Sequence, residues 1–481
     1  MTTPTRKLSA LDTAFWSLES PEAPMHLGAL LQFGPGGGAD PAALAVLLAG
    51  RAARAPRLRQ RVHVPRNPLE SPRWVEDRAF DALRHVRVHG LVGRGALERV
   101  TAELMAAPLR RDRAPWEIHL LTDGHPESGF HLLLKLHHAA ADGLRAVELG
   151  VRLLDRLQRS SVRRAATADV DPSDVDSSGT AEPPVPAYGE WRVPAPWTRM
   201  EEVARRTARS ADVLADVAAG VGLRFGDRLR PRLLGTARGP LDHPLHTTSA
   251  AGPGTRVVAL AALPTVELQT LRRWFGGTLH DVSLGLISGA LRRWYLELGV
   301  DPARRRTQVL VPVGQRPRAG DAALGNQLSG YLVTLPVDEP DPVTRLLRMR
   351  QVLNEHKDRG AQQGAGALPL LSDLVPPGVH RLAGPLLAPT APLLFDALVS
   401  DVPIPGLPFT LVGAPLRAVH PLAPLARGHA LALAVSRFRG QVNIGVHGLA
   451  DELRDPRGLE RSLRTELDEL LAHAAAPPVA A

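Results

Sequence analysis

Cysteine is absent from the 481 residues, which excludes disulfide staples, thiolate nucleophiles and cysteine-ligated zinc. Aromatic residues make up only 4%, too few for the stacking platforms on which single-stranded bases are read. Lysine is nearly missing: Lys7, Lys135 and Lys357 stand against 55 arginines. A formal charge of +9 would raise nucleic acid or an anionic membrane as partner. The arginines, however, are spread along the whole chain and alternate with acids, as codon bias in a GC-rich genome would leave them, so no nucleic-acid partner is expected. Long apolar runs are lacking too. Uncharged stretches such as residues 382–395 and 402–416 fall short of the roughly 20 residues a spanning helix needs, and both contain prolines. Arg6 and Lys7 are not followed by an apolar block of signal-peptide kind before Asp12 and Glu19. A cytoplasmic location is expected, with peripheral contact to a membrane or to lipid inclusions left open.

Hydrophobic residues at 44% and charged ones at 22% are the balance of a folded globular chain, and the length suits two domains. Composition shifts sharply once. Residues 160–196 are rich in Ser, Asp, Ala and Pro with little apolar periodicity, and read as a linker between a domain at 1–159 and another at 197–481. Helical and strand patterns alternate on both sides, which predicts an α/β protein with layers twice over. Asp40-Pro41 supplies a cap and a first-turn proline for a helix through about Ala53, and Leu97, Val100 and Leu104 mark another helical stripe. Residues 116–121 and 130–136 read as strands joined by a polar turn at Asp123-Gly124. Residues 200–225 form an arginine-studded amphipathic helical region that could pack on the core or lie on lipid, packing being favoured. Residues 268–275 and 281–298 read as helices, and 308–313 as a buried strand.

The most informative segment is FHLLLKLHHAAADGLRAVELG, residues 130–150. With a strand's period of two, Phe130, Leu132, Leu134, Leu136 and His138 share one face, and His131, Leu133, Lys135 and His137 the other. His138 therefore ends an apolar face. Three alanines follow, and Asp142-Gly143 opens a helix with the stripe Leu144, Val147, Val151 and Leu154. An imidazole suits the deprotonation of an alcohol, because its unperturbed pKa of about 6.5 leaves it able to accept a proton near neutrality. Asp142 has two structural readings, a helix cap or an ion-pairing group that fixes the loop. Taken singly, His137 and His138 are as readily polar residues at a strand end.

The string HHAAADG, residues 137–143, resembles the HHxxxDG motif of the coenzyme A-dependent acyltransferase superfamily. Residues 8–33, with an LD pair and an MHxG element, resemble the opening block of its wax ester synthase/diacylglycerol acyltransferase branch. GGTLHDVSLGLISGALRRWYLELG (276–299), LVPVGQRP (310–317), LGNQLSGYLVTLP (324–336) and the block from residue 399 to 453 resemble further blocks of that family in the expected order. Three motifs depart from its pattern: Ala114-Pro115-Trp116 stands for Pro-Leu-Trp, His280 for the Asn of an Asn-Asp pair, and Asp401 and Ile404 for the Asn and Gly of SNVPGP.

The resemblance implies two chloramphenicol acetyltransferase-like α/β domains with an active-site tunnel between them. It implies acyl-CoA as co-substrate, no cofactor, and a hydrophobic alcohol or diacylglycerol as acceptor. His138 would be the base, with His137 supporting the turn and Asp142 and Gly143 completing the motif. Asn326, Ser329 and, more weakly, His280 are candidates for oxyanion or tunnel contacts, or in the first two cases for loop ties. Asp281 and Arg316 are expected in structural support, Arg316 as a partner of Asp142, and Pro115 and Trp116 beside the substrate channel. His26, His119 and His429 are expected to serve structure or line the tunnel. No GxSxG elbow occurs, residues 285–289 reading GLISG, and neither HExxH nor paired-ligand spacing suggests a metal. Gly34 to Gly38 lacks the GxGxxG spacing and reads as a loop. The expected activity is transfer of an acyl group to diacylglycerol or a fatty alcohol. The alternatives are acylation of a natural product or other hydroxylated metabolite, and a lipid-surface protein that has lost activity.

Overall fold

In the computed structural model, the described residues are 6–36, 40–67, 70–141, 143–156, 243–247, 255–314, 328–359, 381, 395–453 and 455–475. The predicted linker, the region 200–225 and residues Asp142, Arg316 and Asn326 lie outside them. The first half contains β1 (Arg6–Lys7), α1 (Ala10–Leu18), β2 (His26–Phe33), α2 (Pro41–Ala53), β3 (Gln60–His63), β4 (Arg73–Glu76), β5 (Val86–Gly90), α3 (Ala96–Ala106), β6 (Trp116–Thr122), β7 (Phe130–His137), α4 (Gly143–Leu153) and β8 (Asp155–Arg156). The second contains β9 (Arg256–Pro264), α5 (Thr265–Phe275), α6 (Leu279–Glu297), β10 (Thr307–Gly314), β11 (Leu328–Leu335), α7 (Pro342–Arg359), β12 (Ala397–Val402), β13 (Phe409–Leu411), β14 (Ala414–Leu422), β15 (Leu431–Phe438), β16 (Gln441–Leu449) and α8 (Pro456–Ala475).

Local chemistry fixes several ends where the sequence places them. The Asp40 carboxylate accepts from the Ala43 N–H and Pro41 occupies the first turn, so α2 starts there. The strands β6 and β7 pair antiparallel around the Asp123-Gly124 turn, Trp116 facing Leu136. At α6, Thr278 and Asp281 form a reciprocal capping box. Ile287, Leu291 and Trp294 are buried on one face, and so is every residue from Asp281 to Leu291. The helix is enclosed because α7, α8 and the second sheet close around it, in one core with Leu346, Leu353, Leu463 and Leu467.

Two large sheets organise the chain. One has six strands in the order β11-β10-β12-β15-β16-β9, the other seven in the order β5-β6-β7-β2-β14-β13-β8, and β1, β4 and β3 form a small third sheet. The seven-stranded sheet is not made from residues 1–159 alone: β13 and β14 come from the second half, and β14 pairs antiparallel with β2 from Leu416↔Phe33 to Leu422↔Gly28. The excursion ties the halves together. Ser436 Oγ on β15 donates to the Val419 carbonyl of β14 at 2.5 Å. A Cβ added at Gly445 of β16 would lie 2.0 Å from the Pro421 carbonyl oxygen, so only glycine permits that approach. Leu30, Met105, Leu133, Val258 and Leu422 form a small core shared by both halves. No helix among the described residues is long and apolar enough to cross a membrane.

Candidate active site between the two sheets

His138 sits one residue past the end of β7, where its backbone N–H donates to the Met25 carbonyl at 2.8 Å. The chain then turns tightly. The Ala140 N–H donates to the His137 carbonyl at 2.8 Å, and the Ala139 N–H to His137 Nδ1 at 3.0 Å. Arg57 Nε closes the turn by donating to the Ala140 carbonyl at 3.3 Å. Small residues are required because Ala139 and Ala140 are buried against Leu8, Trp16, Val62 and Trp74. The helix α1, capped by Ser9 accepting from the Asp12 N–H, supplies Phe15, which stacks on the His138 ring at 4.0 Å and 21°. The next residue, Trp16, tilts against His137 at 4.8 Å. Sequence reasoning passed over this aromatic pair; its signal was two adjacent aromatics in a helix of a chain with few of them.

The two histidines differ in role. His137 Nδ1 accepts from a backbone N–H, which places its proton on Nε2, 3.6 Å from Glu19 Oε2. Burial raises the Glu19 carboxyl, but His137 and Arg111 outweigh it and hold it below the usual carboxylate range. The His137 ring is thus held in the turn and against Glu19. His138 lines a cavity of about 520 Å³ between the sheets. Burial pushes its imidazole down to about 4, with His137 adding to the effect and a hydrogen bond to its own backbone opposing it. The ring is therefore neutral at physiological pH.

The cavity wall comes from both halves. Leu134 and Leu136 of β7 line it, with Gly143, Val147, Val151 and Leu154 of the α4 segment and Leu398, Pro421 and Leu422 from beyond. Of the apolar stripe foreseen on α4, Val147, Val151 and Leu154 line the cavity, and Val151 and Leu154 also pack against the core of the first half. Trp116 lines the cavity and its indole N–H donates to the Leu58 carbonyl at 2.7 Å, so the ring is fixed as a wall. Pro115 contributes its carbonyl, which accepts from the His137 N–H at 3.0 Å, and is absent from the lining.

At the far wall His280, second residue of α6, meets Asp401 near the end of β12, Nδ1 lying 3.1 Å from Oδ2. His280 Nε2 lies 3.2 Å from the Tyr331 hydroxyl on β11, and all three line the cavity. Asp281 is turned the other way: its carboxylate accepts from the Thr278 N–H at 2.8 Å and fixes the helix start that carries His280. Ser329 is placed by its backbone opposite Val313 on β10.

A charged floor was also missed. Lys135, buried, donates to the carbonyls of Leu104 at 2.6 Å and Ala107 at 2.8 Å, with Glu117 Oε2 at 3.6 Å. Burial pushes the ammonium down to about 8 against the pull of Glu117. Burial raises Glu117, yet His119 and Lys135 outweigh it and bring it to about 2. The near absence of lysine was the available signal, since a lysine inside a leucine strand is the exception to the chain's own habit. His26 donates from Nε2 to the Met105 carbonyl at 3.0 Å, and His429 from Nε2 to the Phe395 carbonyl at 3.0 Å; both are structural. Away from the cavity, His243, His246 and Asp396 bring ligand-type atoms within 4.8 Å of one another. There His243 Nδ1 accepts from the Leu245 N–H and Asp396 Oδ2 from the Gln308 N–H, a hydrogen-bonded brace for the start of β10.

Residues 8–283 match the wax ester synthase/diacylglycerol acyltransferase catalytic domain, and residues 324–471 the C-terminal domain of the same family. The chain is 26% identical over 485 residues to a probable diacylglycerol O-acyltransferase of Mycobacterium tuberculosis, covering 97% of this chain and 96% of that protein. A second putative diacylglycerol O-acyltransferase of the same organism is 28% identical over 484 residues, covering 97% of this chain and 90% of the other. Among solved structures, the wax ester synthase/diacylglycerol acyltransferase from Marinobacter aquaeolei superposes with a TM-score of 0.65 at 21% identity, covering 98% and 100% of the two chains. The first condensation domain of the calcium-dependent antibiotic synthetase gives 0.56 at 18% identity over the full length of both. These two likenesses establish the two-domain α/β fold.

Proposed function

We infer the reaction from one premise: this chain belongs to the wax ester synthase/diacylglycerol acyltransferase family, and is an acyltransferase of it. The proposal is that it esterifies a hydrophobic alcohol, diacylglycerol or a fatty alcohol, with an acyl group from coenzyme A. The observation that carries this reading is a buried, neutral imidazole, His138, facing an apolar cavity between two sheets. In the proposed step His138 takes the proton of the acceptor hydroxyl as that oxygen bonds to the thioester carbonyl carbon. The tetrahedral intermediate collapses, the carbon–sulfur bond breaks, and the imidazolium returns the proton to the departing thiolate. Atoms balance without an acyl-enzyme. The names borne by the relatives support diacylglycerol as acceptor. Asp142, Asn326 and Arg316 keep their roles as proposals from the motif, as do the Ser329 side chain as oxyanion contact and Trp116 beside the channel.

The test is release of free coenzyme A from hexadecanoyl-CoA on addition of hexadecan-1-ol or a diacylglycerol, with the ester identified by mass. Replacing His138 by Ala is expected to lower the rate by about 10² to 10⁴, the usual worth of a positioned acid–base group. Full activity in a folded His138→Ala protein would remove His138 as the base.

A further inference from the structure

Phe15, Trp16 and Trp74 gather around the turn that carries His138. Two of these rings hold a permanent cation on a face: the Arg57 guanidinium sits over Trp74 at 3.7 Å, and that of Arg111 over Trp16 at 4.8 Å. The face of Phe15 is given instead to the His138 imidazole, 4.0 Å away and inclined by 21°. An aromatic face carries partial negative charge, and a cation within about 6 Å of the ring centre is attracted to it. Both partners of the stack are anchored. Ser9 caps α1, and Arg111 fixes its far end by donating to the Trp16 carbonyl at 2.7 Å and to Glu19 Oε2 at 2.9 Å. The His138 N–H is tied to the Met25 carbonyl. Phe15 is absent from the cavity lining, so its contact with the reaction runs through the imidazole.

An imidazole that takes a proton in a buried place becomes a cation with little water to solvate it. The burial that keeps His138 neutral at rest therefore works against the imidazolium through which acyl transfer passes. Stacking of neutral rings is present before and after the proton moves. Attraction of a cation to the phenyl face exists only once it has moved, and an interaction made only then lowers the barrier.

We propose that Phe15 stabilises the His138 imidazolium as it forms, through the negative face of its ring. Phe15 is in this sense a positioning residue that acts through His138, and the role rests on His138 being the base of acyl transfer. The ring has two opposed effects: its bulk excludes water and disfavours charge, and its face favours charge. A substitution that alters the face and keeps the bulk separates them.

Replacing Phe15 by 4-fluoro-, 3,5-difluoro- and 3,4,5-trifluorophenylalanine withdraws charge from the face in steps at nearly constant size. The readout is the single-turnover rate of ester formation from hexadecanoyl-CoA with hexadecan-1-ol or a diacylglycerol, with circular dichroism to verify the fold. A desolvated cation–π contact is worth about five- to thirtyfold in rate. The rate is expected to fall with each fluorine, to about a tenth in the trifluoro protein, while KM for hexadecanoyl-CoA stays within about twofold of wild type. Phe15→Leu, which keeps an apolar contact without a π face, is expected to match the trifluoro protein. His138→Ala runs in parallel. If turnover depends on His138 and the rate is level across the fluorine series, the role of Phe15 is overturned and the base assignment stands. If turnover persists in full in His138→Ala, or no alcohol is esterified, the acyl-transfer reading falls and takes the role of Phe15 with it.

Discussion

The pH profile of the reaction separates a buried base from an ordinary one. His138 is held at about 4 by burial, against about 6.5 for an exposed imidazole. At pH 5.5 an unperturbed histidine is neutral in about one molecule in eleven, whereas one titrating near 4 is neutral in about 97%. The sign is fixed by the chemistry: the base works when unprotonated, so activity is retained above the folded-state pKa and lost as pH falls through it. With kcat/KM for the acceptor, which reports ionisation in the protein before that substrate binds, the profile is expected to be flat from about pH 8 to about 5 and to halve near 4. Initial rates after a rapid shift from neutral pH, with circular dichroism recorded in parallel, separate titration from unfolding. An acidic limb with an apparent pKa between 6 and 7, in protein shown to be folded, would refute the claim that the catalytic imidazole is desolvated. The depressed pKa also has a kinetic cost, since a weaker base gives less driving force. Positioning by Phe15 and by the turn must then supply more of the rate.

The same burial acts on stability. His420, His429 and His447 are each pushed to about 4, chiefly by burial. The unfolded chain binds protons near 6.5 while the folded chain resists until about 4, so stability is full above that window and falls as pH drops through it, by on the order of 3 kcal/mol per histidine at its lower edge. A melting temperature that stays level from pH 7 to 4.5 would contradict this. Replacing Lys135 by Met removes the donor to the Leu104 and Ala107 carbonyls and a charge facing Glu117, and should cost about 3 to 5 kcal/mol in urea unfolding. A loss below about 1 kcal/mol would mean that water or a neighbour replaces the ammonium.

Much of the fold was legible because it is written in short-range chemistry. The Asp40-Pro41 start of α2, the β6–β7 hairpin and the α6 cap each depend on residues within a few positions of one another. His138 was legible for a similar reason: alternation along β7 assigns its face, and the turn of three alanines assigns its exposure to whatever lies beyond. The exchange of β14 into the first sheet was not, since the pairing of Leu416 with Phe33 spans most of the chain and leaves no local periodicity. The α4 stripe shows a subtler limit. Periodicity reports that a helix face is apolar, and cannot say whether that face meets side chains or a cavity. His280 and Asp401 were each recognisable as a departure from the family pattern, and only their 3.1 Å contact makes them one feature.

The geometry explains why base and cavity arise together. The strand carrying His138 is held between β6 and β2, and β2 is held in turn by β14, which Gly445 and Ser436 bring against the second sheet. The sheets approach closely where β14 meets β15 and β16, and a cavity remains beside α4. The cavity-lining part of α4, with Leu398 and Leu422 also in the wall, is removed from bulk water without gaining on that side the full dispersion contacts of a packed core. An apolar chain entering that space supplies the missing contacts at no cost in further desolvation of the protein. A polar ligand of the same length would not, except where His280, Asp401 and Tyr331 interrupt the wall. The acyl group and the body of the acceptor are thus selected by what the interior lacks, and the orientation of the acceptor by the few polar atoms that remain.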